Sequence, residues 1–194
     1  SRPPSRVQFH PTIAVILNID EDHLDCYKDI DEIEETFGQF LHLLPDNGVA
    51  IGKGTDERVV RQLSRLNCRT ITFGLTADCD VHPAALTEDD NGYYTFDLCA
   101  QGNILAHVKM GVPGRFNVEN GLAALTAAWV LGADMAKAAE SLARFTGAHR
   151  RFELTGLLKC ARRYASVSSN DGVHTAFRPC ACIPATSLPL SKPG

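Results

Sequence analysis

Thr12-Ile-Ala-Val-Ile-Leu-Asn-Ile19 is a continuous apolar run rich in β-branched side chains, and a polar segment, residues 20–29, follows it directly. An unbroken run of this kind predicts a strand covered on both faces, as in a parallel sheet. Outward from it, Ile33, Phe37, Phe40, Leu41 and Leu44 recur at helical spacing. Acids at 31, 32, 34 and 35 sit near the start of that helix, where its dipole favours them. Pro45-Asp-Asn-Gly48 ends it. Residues 49–51 then read as a strand, 56–66 as a helix and 69–73 as a third strand. This alternation predicts an α/β layer with parallel pairing.

Residues 93–100 and 103–110 flank a tight Gln101-Gly102 turn and predict a hairpin that extends the sheet in antiparallel fashion. Pro113-Gly114 breaks the chain before an Ala-rich helix over 118–131, which Gly132 ends. Asp134 is placed to cap a further helix reaching about 145. Residues 152–158 read as one more strand, and from about 161 no periodicity remains. The expected fold class is therefore α/β: a mostly parallel sheet flanked by helices, with an antiparallel hairpin extension. The expected divisions are an N-terminal flank over 1–10, the domain over 11–160 and an irregular tail over 161–194.

The 194 residues, 44% hydrophobic and 22% charged, suffice for one sizeable core and exclude a disordered or fibrous chain. No apolar stretch approaches the ~20 residues that span a bilayer, and Ser-Arg-Pro-Pro-Ser-Arg lacks a signal-peptide core, so no membrane partner is expected. The net charge of −4 argues against nucleic acid. Residues 11–160 carry 13 Lys+Arg against 22 Asp+Glu, whereas the flanks are basic. Seven cysteines without framework spacing read as reduced thiols of a cytoplasmic protein. Cys180-x-Cys182 has no second ligand pair and predicts no zinc site.

Three constellations carry chemistry. Asn18-Ile-Asp-Glu-Asp22-His23-Leu-Asp25 follows the first strand, where ligands gather in open α/β sheets. It offers an amide, four carboxylates and an imidazole to a hard cation or a metal phosphate, or else it is a solvated acidic turn. Gly111-Val-Pro-Gly114-Arg-Phe-Asn117-Val-Glu-Asn120 feeds a helix N-terminus. Asn117 and Asn120 share one side of its first turn, although Asn117 also reads as a plain N-cap. Gly147-Ala-His-Arg-Arg151-Phe-Glu153 places a basic pair before a strand, either for phosphate or as a surface dyad. There is no Walker-type loop, nucleophile elbow or dinucleotide fingerprint.

In this order and spacing, the segments 11–25, 112–124 and 145–156 resemble the central ATP-binding domain of the Mur ligases of bacterial cell-wall synthesis, over roughly residues 7–164. The wording of the first segment is most similar to the branch that adds L-alanine to UDP-N-acetylmuramate. The resemblance implies an ATP-dependent, ADP-forming amide ligase: ATP phosphorylates the sugar carboxylate, and the amine of L-alanine attacks the acyl phosphate. It implies Mg2+ to offset charge between two anions. By the family pattern His23 is a magnesium ligand and catalytic, with Asn18 and Asp22 shaping its loop. Asn117 and Asn120 lie against adenine, and Arg151 approaches the ribose–phosphate side as a catalytic and cofactor-binding residue. Asp25 matches the motif without a direct role.

Departures from the pattern set further expectations. The family's phosphate loop and its UDP-sugar domain fall upstream of Ser1. Phe116 stands where the family usually has His. After Tyr164 the family's Asp-Asp-Tyr-x-His-His-Pro segment does not follow. The reading is a ligase fragment with ends out of frame or otherwise rearranged, inactive alone, and its truncated sheet is expected to expose an edge. Alternatives are a fragment of another Mur or folylpolyglutamate-type ligase, or a non-catalytic nucleotide-binding remnant.

Overall fold

The computed structural model of the chain describes residues 11–20 and 29–147 in full, and the backbone of strands at 151–158, 161–167 and 173–179. The chain divides into two units, residues 1–146 and 147–194. In the first, six strands lie in the order β1 to β6. They are β1 (Ile13–Ile16), β2 (Val49–Lys53), β3 (Arg69–Phe73), β4 (Val81–Glu88), β5 (Tyr94–Ala100) and β6 (Asn103–Lys109). The β1–β2 and β2–β3 pairs are parallel, with Ile13 opposite Val49 and Val49 opposite Arg69. The β4–β5 and β5–β6 pairs are antiparallel. The expected parallel core with a hairpin extension is the architecture found.

Helices α1 (Ile30–Leu41) and α2 (Glu57–Leu63) cover one face, and α3 (Arg115–Val130) and α4 (Met135–Arg144) the other. The alternation of β2 shows why its run is unbroken. Val49 and Ile51 join the larger core under α3, whereas Ala50 faces Val59 and Leu63 of α2. Gly52 continues the α2 side; a Cβ there would lie 2.5 Å from Val59 Cγ1, so its absence lets the helix approach the sheet closely. Strand β1 ends the sheet. Ala14 and Ile16 are buried, but Val15 and Leu17 are 38% and 43% exposed. The expectation that this run is covered on both faces thus holds for one face at this end of the sheet, where β1 is also an edge strand among the described residues.

Helix starts follow side-chain caps. Asp29 accepts from Glu32 N, Asp56 from Arg58 N and Val59 N, and Asp134 from Ala136 N and Lys137 N. Helix α3 begins earlier than its apolar pattern suggests, at Arg115, behind Gly114 with φ +103°. The Gln101-Gly102 turn has positive φ at both residues, matching the right-handed strand twist that a two-residue hairpin needs.

Strand β4 is absent from the sequence reading. It contains Pro83, a left-handed Ala85 (φ +49°) and a register shift between Ala84 and Thr87. These features mask its alternation. It meets β3 through one parallel pair, Phe73 with Val81, and Asp80 Oδ2 accepts from Thr72 N and Thr72 Oγ1, both at 2.8 Å.

In the second unit, β7 (Arg151–Leu158), β8 (Ala161–Val167) and β9 (Val173–Pro179) form an antiparallel three-stranded sheet. Within 161–194, where the sequence predicts an irregular tail, the backbone forms β8 and β9. Their short runs mix Arg and Ser with Tyr, Val and Phe, so pairing in register, with Val167 opposite Val173, defines them where apolar alternation does not. Residues 1–10 and 180–194 lie outside the described residues.

Candidate functional site

Three parallel strands end their carboxyl termini at one polar cleft of about 520 Å³. Leu17, Asn18, Ile19 and Asp20 follow β1; Lys53 ends β2; Thr55 and the start of α2 follow it; Phe73 ends β3. The first two turns of α3 close the cleft with Phe116, Glu119 and Asn120. This is the edge at which open α/β sheets bind ligands.

Asp56 organises the cleft. One oxygen, Oδ1, caps α2 by accepting from Arg58 N at 3.0 Å and Val59 N at 3.1 Å. The other, Oδ2, accepts from Ile19 N at 3.1 Å, tying the exit of β1 to α2. Asn18 Nδ2 donates to the Asp20 carboxylate. Asp56→Ala removes the cap and the tether together and is expected to cost about 1–2 kcal/mol. Asp56→Asn keeps one acceptor, enough for the cap, but sets an amide N–H against Ile19 N, so it should recover only the cap's share in urea denaturation.

Lys53 Nζ sits 2.8 Å from Glu119 Oε2 across the cleft. Behind it, Glu34 on α1 accepts from Arg61 at 3.0 Å and Gln62 at 2.8 Å, and lies 3.9 Å from Arg58 Nε. Beneath, the thiol of Cys79 packs against Gly54 and Gly74; burial pushes its pKa up, and Asp80 and Asp78 add to the rise.

A second cavity, about 440 Å³ and predominantly apolar, runs between α3 and α4. Asn117 and Asn120 border it beside Met110, Val112, Leu125 and Leu142. Asn120 lines both the cleft and the groove. Asn117 does not cap α3: Gly114 holds that position, and Asn117 Nδ2 donates to Pro113 O at 2.7 Å, steadying the turn before the helix.

The structure therefore brings Asn18 and Asn120 to one cleft and Asn117 to the adjoining groove. Asp22, His23 and Asp25 lie outside the described residues, as does the side chain of Arg151, the first residue of β7. Lys53 and Thr55 are not singled out by the sequence, Asp56 is read there only as the start of a helix, and Glu119 stands in the 111–120 segment without a role. The signal for the first three was present: ending the second strand at 53 instead of 51 makes Lys53-Gly-Thr-Asp56 a strand-end loop like 18–25. Among the described residues no group of three or more His, Cys, Asp or Glu is placed to hold a metal. The cleft nonetheless mixes an ammonium, a hydroxyl and two amides with the Asp20 and Glu57 carboxylates, a donor set that suits phosphate oxygens with a hard cation.

A crevice at the strand ends, walled by a glycine-led helix, makes this an open α/β domain with its candidate site at the sheet's carboxyl edge. The family model for the Mur ligase middle domain matches residues 3–128, and the chain belongs to the Mur ligase family. It is 37% identical over 155 residues to the UDP-N-acetylmuramate–L-alanine ligase of Caldanaerobacter subterraneus subsp. tengcongensis, covering 80% of this chain and 34% of that protein. With the ligase of the same name from Clostridium beijerinckii it shares 40% over 154 residues, 79% of this chain and 34% of that one. The chain thus spans about a third of the length of these relatives. Its fold matches the Thermotoga maritima MurF ligase solved in complex with ADP, with a TM-score of 0.62 at 21% identity over 75% of this chain and 33% of that one. Among the described residues no helix is long and apolar enough to cross a membrane.

Proposed function

We propose that this chain is the nucleotide-binding part of a cytoplasmic ATP-dependent, ADP-forming ligase that joins L-alanine to UDP-N-acetylmuramate, and that it binds nucleotide without turning over alone. The carrying observation is Asn120, which borders the polar cleft on one side and the apolar groove on the other. A nucleotide needs that combination: an apolar slot with an amide for the base, and a polar space for phosphates one helical turn away. In this reading Asn117 and Asn120 hold adenine, and Asn18 and Asp20 border the phosphates. His23 completes the magnesium site from the loop after β1, and Arg151 answers the ribose–phosphate side.

Bound Mg2+ would offset the charge between the phosphate and the carboxylate it meets. The residues of this chain bind and orient; the sugar and amino-acid substrates belong to the remaining two-thirds of the relatives' length. The domain is read as spanning 11–160, with ends out of frame or otherwise rearranged, and sequencing the encoding DNA in all frames through Tyr164 tests that part.

Calorimetric titration with ADP tests the function. Magnesium-dependent binding, weakened about tenfold by Asn120→Ala, is the expected result; with ATP, UDP-N-acetylmuramate and magnesium supplied instead, no phosphate release is expected on adding L-alanine. Absence of binding at millimolar ADP would sink the nucleotide reading. L-alanine-dependent phosphate release would overturn the assignment of binding without turnover.

A further inference from the structure

We propose that Lys53 is a phosphate-binding residue, held ready across the cleft by Glu119 and transferred to a phosphate when one enters. The inference rests on the nucleotide reading and adds to it a residue from β2.

Lys53 is the last residue of β2, and its ammonium reaches across to Glu119 in the second turn of α3. The contact with Glu119 is 2.8 Å, and each side chain is only 24% exposed. An ammonium carries three donors, and the pair engages it through one carboxylate oxygen. Desolvation at this depth makes an underused charge costly, so a more highly charged oxygen cluster is a better partner than a single carboxylate.

The surroundings favour exchange over a fixed structural bridge. Helix α3 is already held to the sheet by Val118 and Leu122, both fully buried in the larger core. Among the described residues, the cationic side chains lining the cleft are Lys53 and Arg58, and Arg58 leans towards the buried Glu34 on α1. Lys53 has its charged partner inside the cleft itself. When the ammonium moves to a phosphate oxygen, Glu119 is released within the same space, where its carboxylate can meet a divalent cation arriving with the phosphate.

The two partners give opposite signs, and that separates this role from a structural one. Lys53→Met should weaken ADP binding about tenfold, the value of a charge-assisted hydrogen bond. Glu119→Gln frees the ammonium and should tighten metal-free ADP binding about threefold, a fraction of the same interaction. Both are read by calorimetry on the 194-residue chain, with thermal melts alongside. If wild type binds ADP and Lys53→Met changes the affinity less than twofold, the role of Lys53 fails while the nucleotide reading stands. If both variants weaken binding and lower the melting temperature together, the pair is structural and the proposal is wrong. No ADP binding by wild type overturns both readings. Should Lys53→Met fail to melt cooperatively, Glu119→Gln decides: unchanged or weaker metal-free binding overturns the proposal.

Discussion

Phe73→Ala is expected to lower the unfolding free energy by about 3–5 kcal/mol, the range for deleting a buried aromatic ring. Phe73 is fully buried, ends β3, and packs in the larger core with Ile71, Val81 and Phe96. It is also the residue through which β3 meets β4, opposite Val81. A wide ladder would spread the loss; a junction of one pair concentrates it. The ring borders the cleft as well, so the cavity left by its removal opens directly beneath the site. Urea titration should show a lower midpoint with an unchanged slope, because the native surface is kept while stability falls. A loss under 1 kcal/mol would mean that β4 and β5 hold the sheet together without this contact.

That junction also marks where sequence reasoning stops. The parallel core is legible because 12–19, 49–51 and 69–73 are short strand-forming runs separated by helical patterns; of the caps only Asp134 is readable in advance, whereas Asp29 and Asp56 take that role in the fold, each one position before its helix. The hairpin is legible because Tyr94, Phe96, Leu98 and Ala100 alternate with half-exposed residues. Strand β4 is not, because a bulge and a left-handed Ala85 let backbone pairing override local pattern. The site divides in the same way. Asn18 and Asn120 stand in motifs whose spacing can be read locally. The Lys53–Glu119 pair joins residues 66 apart in sequence. Only the parallel stacking of β1, β2 and β3 beneath α3 brings them face to face, and no local pattern encodes that meeting.

Gly111→Ala is expected to cost about 3 kcal/mol, the upper end of the range for overpacking, and to reshape the apolar groove. Gly111 lies between β6 and α3, and an added Cβ would stand 2.3 Å from Phe145 O, 2.6 Å from Ala143 O and 2.8 Å from Leu142 O. These are backbone carbonyls at the end of α4, so no side-chain rotation relieves the contact; the helix end itself must move. Helix α4 packs against β6, and its Leu142 and Phe145 line the groove with Met110 and Val112, the two neighbours of Gly111. A shift of α4 therefore changes both the core seam and the space beside Asn117 and Asn120. Gly102→Ala provides the contrast. Gly102 has φ +74° but nothing within 4 Å of a new Cβ, so its cost, about 1 kcal/mol, is backbone strain alone. If nucleotide enters the groove, Gly111→Ala loses ADP affinity as well as stability, whereas Gly102→Ala loses stability only. Equal ADP affinity in the two variants would place the base outside the groove even if both melts fall as expected.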